Sequence, residues 1–199
     1  METKRARGKS VNPFERAMLN LFVYKLRRGK NVLSLGCGIG IPYEQFLAML
    51  KCVVTGVDPN KANLVQAMLN LPTAKLVCGN ILEYEPTERY NGMLLIDAHY
   101  YLPKEKHLEL FKKAFEMLSE DGVLLVTVPP QQNFGEDKLA DYYDFDTTLR
   151  FLKESGFDLI VSEAQTTYGV PDDMNWVLMR KHPSNTQQML RDKDIQATR

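Results

Sequence analysis

Three glycines at alternate positions, Gly36, Gly38 and Gly40, follow the apolar run VLSL and precede an apolar helix-like stretch. A glycine-rich turn between a strand and a helix lets the backbone approach a ligand closely, and Cys37 is carried within it. Such turns hold nicotinamide or flavin dinucleotides or S-adenosylmethionine, and some only make a tight turn. The dinucleotide pattern GxGxxG needs glycine at 41, where this chain has Ile41. Twenty residues beyond Gly38 stands Asp58. A carboxylate there can accept hydrogen bonds from both hydroxyls of a ribose, or it can be a solvent-facing cap of the next helix. A second group is Ile96-Asp97-Ala98-His99-Tyr100-Tyr101. An acid can hold a cation, an imidazole can take a proton near neutral pH, and a tyrosine face attracts a cation. The plainer alternatives are a structural or capping His99 and tyrosines used for packing.

The elements that must position these residues alternate. Short runs rich in Val and Leu recur at Asn31–Leu35, Cys52–Val57, Ala74–Cys78, Met93–Asp97 and Gly122–Val128. Helical spacing appears at Tyr43–Leu50 and Ala62–Leu69, and most clearly in Leu108, Phe111, Ala114, Phe115 and Leu118. Continuous apolar strands alternating with amphipathic helices predict an α/β fold, a doubly wound, mostly parallel sheet with helices on both faces. Both chemical groups then fall at carboxyl ends of strands, where such sheets bind ligands. The last quarter changes rhythm: a helix from about Thr147 ends at Gly156, and Phe157–Thr167 and Met174–Lys181 follow as strands without a helix between them. Two such strands are antiparallel neighbours. Ahead of the first strand, Asn12 and Pro13 begin a helix in which Phe14, Met18, Leu21 and Phe22 are in register.

VLSLGCGIG followed by VTGVDPN resembles the first motif and the acidic second-strand end of class I S-adenosylmethionine-dependent methyltransferases. The resemblance spans about Val32–Lys181 and includes LSEDGVLLVTV before the fifth strand end. It implies a Rossmann-like, seven-stranded sheet whose last strand is inserted antiparallel, with S-adenosylmethionine as cofactor and S-adenosylhomocysteine as product. By position it implies that Gly36, Cys37, Gly38 and Gly40 border the methionine part, Asp58 the ribose, and Pro59, Asn80 and Ile81 the adenine. Ile96 closes the fourth strand beside the cofactor. The segment from Tyr90-Asn91 to His99-Tyr100-Tyr101-Leu102 is similar in register to one in histamine N-methyltransferases. That likeness places Asp97 where the amine substrate is contacted and puts the tyrosines on the pocket wall. Asp97, His99 and Tyr100 are therefore the candidate catalytic residues, with Asp97 alternatively gripping the ammonium of the cofactor. Neither [DN]PPY nor a two-glutamate loop is present, and no Asp-Asn pair ends the fifth strand to hold a metal.

Composition bounds the rest. With 199 residues, 44% apolar and 25% charged, the chain has ordinary globular composition and can bury a core unaided by disulfide or metal. No run of 18 apolar residues exists, so no membrane-spanning segment and no membrane partner are expected. Lys and Arg total 25 and Asp and Glu total 25, a balance that argues against nucleic acid as an obligate partner. Residues 1–30 nevertheless hold nine basic and two acidic groups, leaving the remainder acidic. This basic segment reads as a solvated surface, an arm for an anionic partner or a targeting segment. Cys37, Cys52 and Cys78 fit reduced thiols and a cytoplasmic location. The expected organisation is a basic helical segment over 1–30, a methyltransferase domain over 31–182 and a disordered tail over 183–199. The expected activity is methyl transfer to a small molecule, an amine before a hydroxyl. The alternatives are a protein or RNA methyltransferase using the basic segment, and a non-catalytic, cofactor-binding partner subunit.

Overall fold

The computed structural model describes residues 10–129, 141–165 and 174–181. β1 (Asn31–Leu35) is an inner strand of a seven-stranded sheet and shows how the sequence builds two layers. Successive side chains of a strand point to opposite faces, so Leu33 and Leu35 enter one core while Val32 enters the other. β4 (Tyr90–Leu95) and β5 (Leu118–Val128) divide in the same way: Met93, Leu124 and Val126 join the first core, and Leu94, Val123 and Leu125 the second.

The sheet order is β3-β2-β1-β4-β5-β7-β6. β2 (Val53–Asp58) and β3 (Lys75–Cys78) extend it in parallel on one side of β1, and β4 and β5 on the other. β7 (Asn175–Lys181) is inserted between β5 and β6 (Phe157–Ala164) and runs antiparallel to both. The expected topology is therefore present, including the inserted last strand.

Helices cover both faces. α1 (Pro13–Lys25) and α2 (Tyr43–Met49) supply Met18, Leu19, Phe22 and Leu47 to one core. α4 (His107–Met117) and α5 (Phe145–Glu154) supply Leu110, Phe111, Ala114 and Leu152 to the other, while α3 (Lys61–Asn70) links β2 to β3. α1 starts at Asn12 as expected, with a reciprocal cap: Glu15 N–H donates to the Asn12 side chain at 2.9 Å, and Asn12 N–H donates to Glu15 at 2.8 Å.

Several boundaries differ from the sequence expectation, those of β4 and β5 most. β4 starts at Tyr90 rather than Met93, and β5 at Leu118 rather than Gly122, because α4 passes into β5 with no intervening loop. β6 ends at Ala164, so the last expected strand residues, 166 and 167, lie outside the described ones, as do the 183–199 tail and the 130–140 segment after Pro129.

Candidate active site

The glycine turn sits where β1 ends, and β2 holds it: the N–H groups of Gly36 and Cys37 both donate to the carbonyl of Val57, at 2.7 and 3.1 Å. Gly36 has φ +78, and a Cβ there would lie 2.6 Å from the Cβ of Ala98. Glycine is thus required for the turn to touch the segment that follows β4. Gly38 is the opposite case. Its φ is +58, yet a Cβ would meet nothing within 4 Å, so its outer face looks into open space. Gly40 returns the chain against Leu71, just after α3.

Asp58 ends β2 and is only 2% exposed. One carboxylate oxygen accepts from Gly38 N–H at 2.8 Å; the other accepts from Asn60 N–H at 2.9 Å and from the Asn63 side-chain amide at 3.1 Å. The carboxylate therefore ties the glycine turn to the start of α3, and it is not the solvent-facing cap that one sequence alternative described. Hydrogen bonds to an ionised acceptor are short and about twice as strong as neutral ones. This structural duty of Asp58 was not visible in the sequence, although Asn60 and Asn63 beside it were the available signal.

Other residues expected around a cofactor divide by what their side chains touch. Cys37 is buried with its sulfur against Gly56, so it can offer a ligand backbone only. Pro59 is exposed beside Cys78, with its carbonyl 3.8 Å from the thiol. Asn80 is exposed, and its side-chain oxygen accepts from Leu82 N–H at 3.0 Å in a local turn. Ile81 belongs to the first core and Ile96 to the second, so neither side chain faces the edge.

The segment after β4 brings only its acid to the site. Asp97 has φ +49, a left-handed conformation that Asp tolerates better than most residues. Thr127 of β5 holds it there twice: Asp97 N–H donates to the Thr127 hydroxyl at 2.9 Å, and that hydroxyl donates to the Asp97 carboxylate at 3.1 Å. Since Ala98 touches Gly36, Asp97 stands beside the glycine turn at the same sheet edge. Thr127 is a positioning residue that the sequence reading missed; its place near the end of a strand beside β4 was the only signal.

His99 and Tyr100 turn away. A 3-10 turn at His99–Tyr101 sends His99 against His107 and Phe111, and Tyr100 into the second core. His99 has no exposed surface, and neither ring nitrogen has a hydrogen-bond partner. Burial, with His107 next to it, pushes its pKa well below the ordinary histidine range. Burial lowers His107 as well. The structure thus places His99 as a neutral histidine of the core and Tyr100 within the second core. A groove of about 870 Å³ runs along α4 beside Glu85 and Arg89, and contains none of these residues.

The comparisons bear on this geometry. Residues 12–167 match the family model described as a methyltransferase domain. The chain belongs to that family. It is 26% identical over 193 residues to the (S)-coclaurine N-methyltransferase of Papaver somniferum, covering 89% of this chain and 53% of that protein. It is 30% identical over 112 residues to the trans-aconitate 2-methyltransferase of Rhizobium etli, covering 56% of this chain and 42% of that one. The chain thus spans about half the length of the curated relatives it matches. The structure of N-methyltransferase NodS from Bradyrhizobium japonicum WM9 superposes with a TM-score of 0.72 at 18% identity, covering 86% of this methyltransferase and 98% of NodS. That likeness confirms the fold. The acceptors named among these relatives differ, so acceptor choice in this methyltransferase must be read from its own residues.

Proposed function

We propose that this methyltransferase moves a methyl group from S-adenosylmethionine to a small-molecule amine. The observation that carries the reading is the junction of Gly38 and Asp58: a glycine open to a ligand on its outer side, and a buried carboxylate fixed to its N–H. When bound, S-adenosylmethionine supplies an electrophilic methyl on a positively charged sulfur. Gly36, Gly38, Gly40 and the backbone of Cys37 border its amino-acid half. Asp58 faces the ribose, and Pro59 with the backbone of Asn80 and Ile81 borders the adenine. A carboxylate offers about four lone-pair directions, and three donors already use Asp58, so a ribose hydroxyl takes the remaining direction or shares one.

Asp97 is the acceptor contact in this reading. It is the one acidic or basic candidate of its segment that stays at the sheet edge, partly exposed and clamped by Thr127. A fixed carboxylate favours a cationic amine over a phenol or an acid, and it can receive the proton the amine must lose before it presents a lone pair. Alignment of that lone pair contributes several kcal/mol without further chemistry from the protein.

The test is calorimetry with S-adenosylhomocysteine, followed by methyl-transfer assays on a panel of amines, phenols, peptides and RNA. Binding of S-adenosylhomocysteine with turnover confined to amines supports the reading. No binding at all would sink it, and turnover confined to phenols or acids would remove the amine.

A further inference from the structure

Two aromatic side chains from separate parts of the sheet meet on the second-core side of Asp97. Tyr43 opens α2 just past the glycine turn, and Gln45 N–H in the same helical turn donates to Gly40 O at 3.1 Å. Trp176 stands near the start of β7, directly opposite Thr127 of β5. Residues opposed in an antiparallel pair share a face, so Trp176 lies on the same side as the hydroxyl that clamps Asp97. β1 and β7 are three strand spacings apart, roughly 14 Å, yet the Tyr43 and Trp176 ring centroids are 5.6 Å apart. The two rings thus close the second-core face between β1 and β7, at the level where β4 and β5 end. Both are buried, and the indole N–H donates to Gln165 at 3.0 Å. Phe14, in the first turn of α1, meets Trp176 edge to face with centroids 6.1 Å apart and stays half-buried. Beside it, Glu15 accepts from the Tyr43 hydroxyl at 2.8 Å and, with its other oxygen, from Asn12 N–H at 2.8 Å. The first turn of α1 is thereby fixed to α2, with Phe14 over Trp176.

We infer that Phe14 determines acceptor specificity: the acceptor is an arylalkylamine whose ring packs on Phe14 while Asp97 holds its amine. The inference rests on the amine reading of Asp97. Asp97 follows β4 and Trp176 is on β7, two strand spacings away, roughly 10 Å. A carboxylate–ammonium contact takes about 3 Å of that span, and a two-carbon arm with a benzene ring fills the rest. Of the three rings, Phe14 is the one with surface left for a ligand. Aromatic rings gain from edge-to-face and offset contacts beyond the area they bury, whereas an alkyl chain gains from area alone. Phe14, Trp176 and Tyr43 already make two such contacts, each with its planes at 79°, and an acceptor ring on Phe14 extends the array. In the sequence Phe14 is one apolar position of α1 among several. Its contact with β7 gives it this second use.

The experiment is steady-state methyl transfer by the full chain from S-adenosylmethionine to 2-phenylethylamine, hexylamine or ethylamine. Wild type is compared with Phe14→Ala, and melting temperatures check folding. Wild type should favour 2-phenylethylamine over hexylamine about fivefold in kcat/KM, and over ethylamine about a hundredfold. Phe14→Ala should cut the preference for 2-phenylethylamine over hexylamine at least threefold. The change should appear in KM rather than kcat, as for a contact made equally in the ground and transition states. If Phe14→Ala does not fold, Phe14→Leu keeps an apolar cover over Trp176 and should lose the same preference. A preference that survives while both amines lose equally makes Phe14 a packing residue and overturns the inference. Hexylamine used as well as 2-phenylethylamine by wild type also overturns it and leaves the amine reading standing. Absence of turnover with every amine overturns the inference together with that reading.

Discussion

The two walls that meet at the carboxyl edge of the sheet are built differently. On the β1–β2 side, a turn set by positive φ at Gly36 and Gly38 carries most of the functional groups, and Asp58, twenty residues on at the end of the adjacent strand, bonds Gly38 and Asn60 directly. On the β4–β5 side, the acid is held by a residue 30 positions later, Thr127, and its chain neighbours are drawn into opposite cores. The lesson is that a binding loop written in glycines survives as a motif, whereas a wall written in tertiary contacts does not. In the proposed function the two walls have separate duties, the first holding the cofactor and the second choosing the acceptor.

The contrast can be broken by substitution. Asp58→Ala should have the largest effect, because at least two charge-assisted hydrogen bonds at about 1.5–3 kcal/mol each are lost with the carboxylate. Calorimetry should show S-adenosylhomocysteine affinity reduced at least a hundredfold, with a lowered melting temperature; unchanged affinity would remove the ligand role of this wall. Asp97→Asn keeps the shape and deletes the charge. It should cost about 2–5 kcal/mol in acceptor binding or turnover while cofactor affinity moves less than threefold. If the ranking is reversed, Asp97 grips the ammonium of the cofactor and the two walls share one ligand.

Thr127→Val tests the clamp. It removes the acceptor of the half-buried Asp97 N–H and a donor to its carboxylate, so a loss of about 1–3 kcal/mol is expected in stability and in acceptor KM. Equal kinetics in this variant would mean that Asp97 holds its conformation unaided. The smallest effect concerns pH. His99 is buried neutral with its pKa lowered, so below about 6.5 the unfolded chain binds a proton that the folded one refuses. The corresponding stability is intact above that pH and is lost as the pH falls toward the lowered native value, by up to about 1.4 kcal/mol at pH 5.5. His99→Phe should flatten this acid limb of a melting-temperature profile without changing the acid dependence of acceptor KM. A kinetic pKa that vanishes in His99→Phe would return the imidazole to the site.

The parts of the fold legible in the sequence were those with local causes. The bounds of β1 follow from an apolar run ended by Gly36, and the start of α1 from Asn12 and Pro13. The seven-stranded order came from the family resemblance, and the alternation of elements agreed with it. For His99 and Tyr100 the structure agrees with the plainer alternative, a core histidine and a packing tyrosine, because a 3-10 turn rotates consecutive residues by about a third of a circle and sends them to different layers. No pattern in HYY distinguishes that from a chain continuing along the pocket. The register of Ile96 carries the same lesson: as the residue before Asp97 it faces the second core, which becomes evident only once β4 is known to end at Leu95.

The insertion of β7 between β5 and β6 has a consequence during synthesis. β5 is complete at Val128, but its partner on that side ends at Lys181. At roughly 5–20 residues per second, a translating chain spends about 3–10 s with the edge of β5 unpaired. Its alternating cores are then half covered, and a row of free amide groups is open to another nascent chain or a chaperone. The half-sheet β3-β2-β1-β4, with the glycine turn and Asp58, has all the residues of its pairings synthesised before that interval begins. A ribosome stalled in this window therefore displays a ligand-binding half joined to an aggregation-prone edge, and ligand added at that moment would stabilise the half that needs it least.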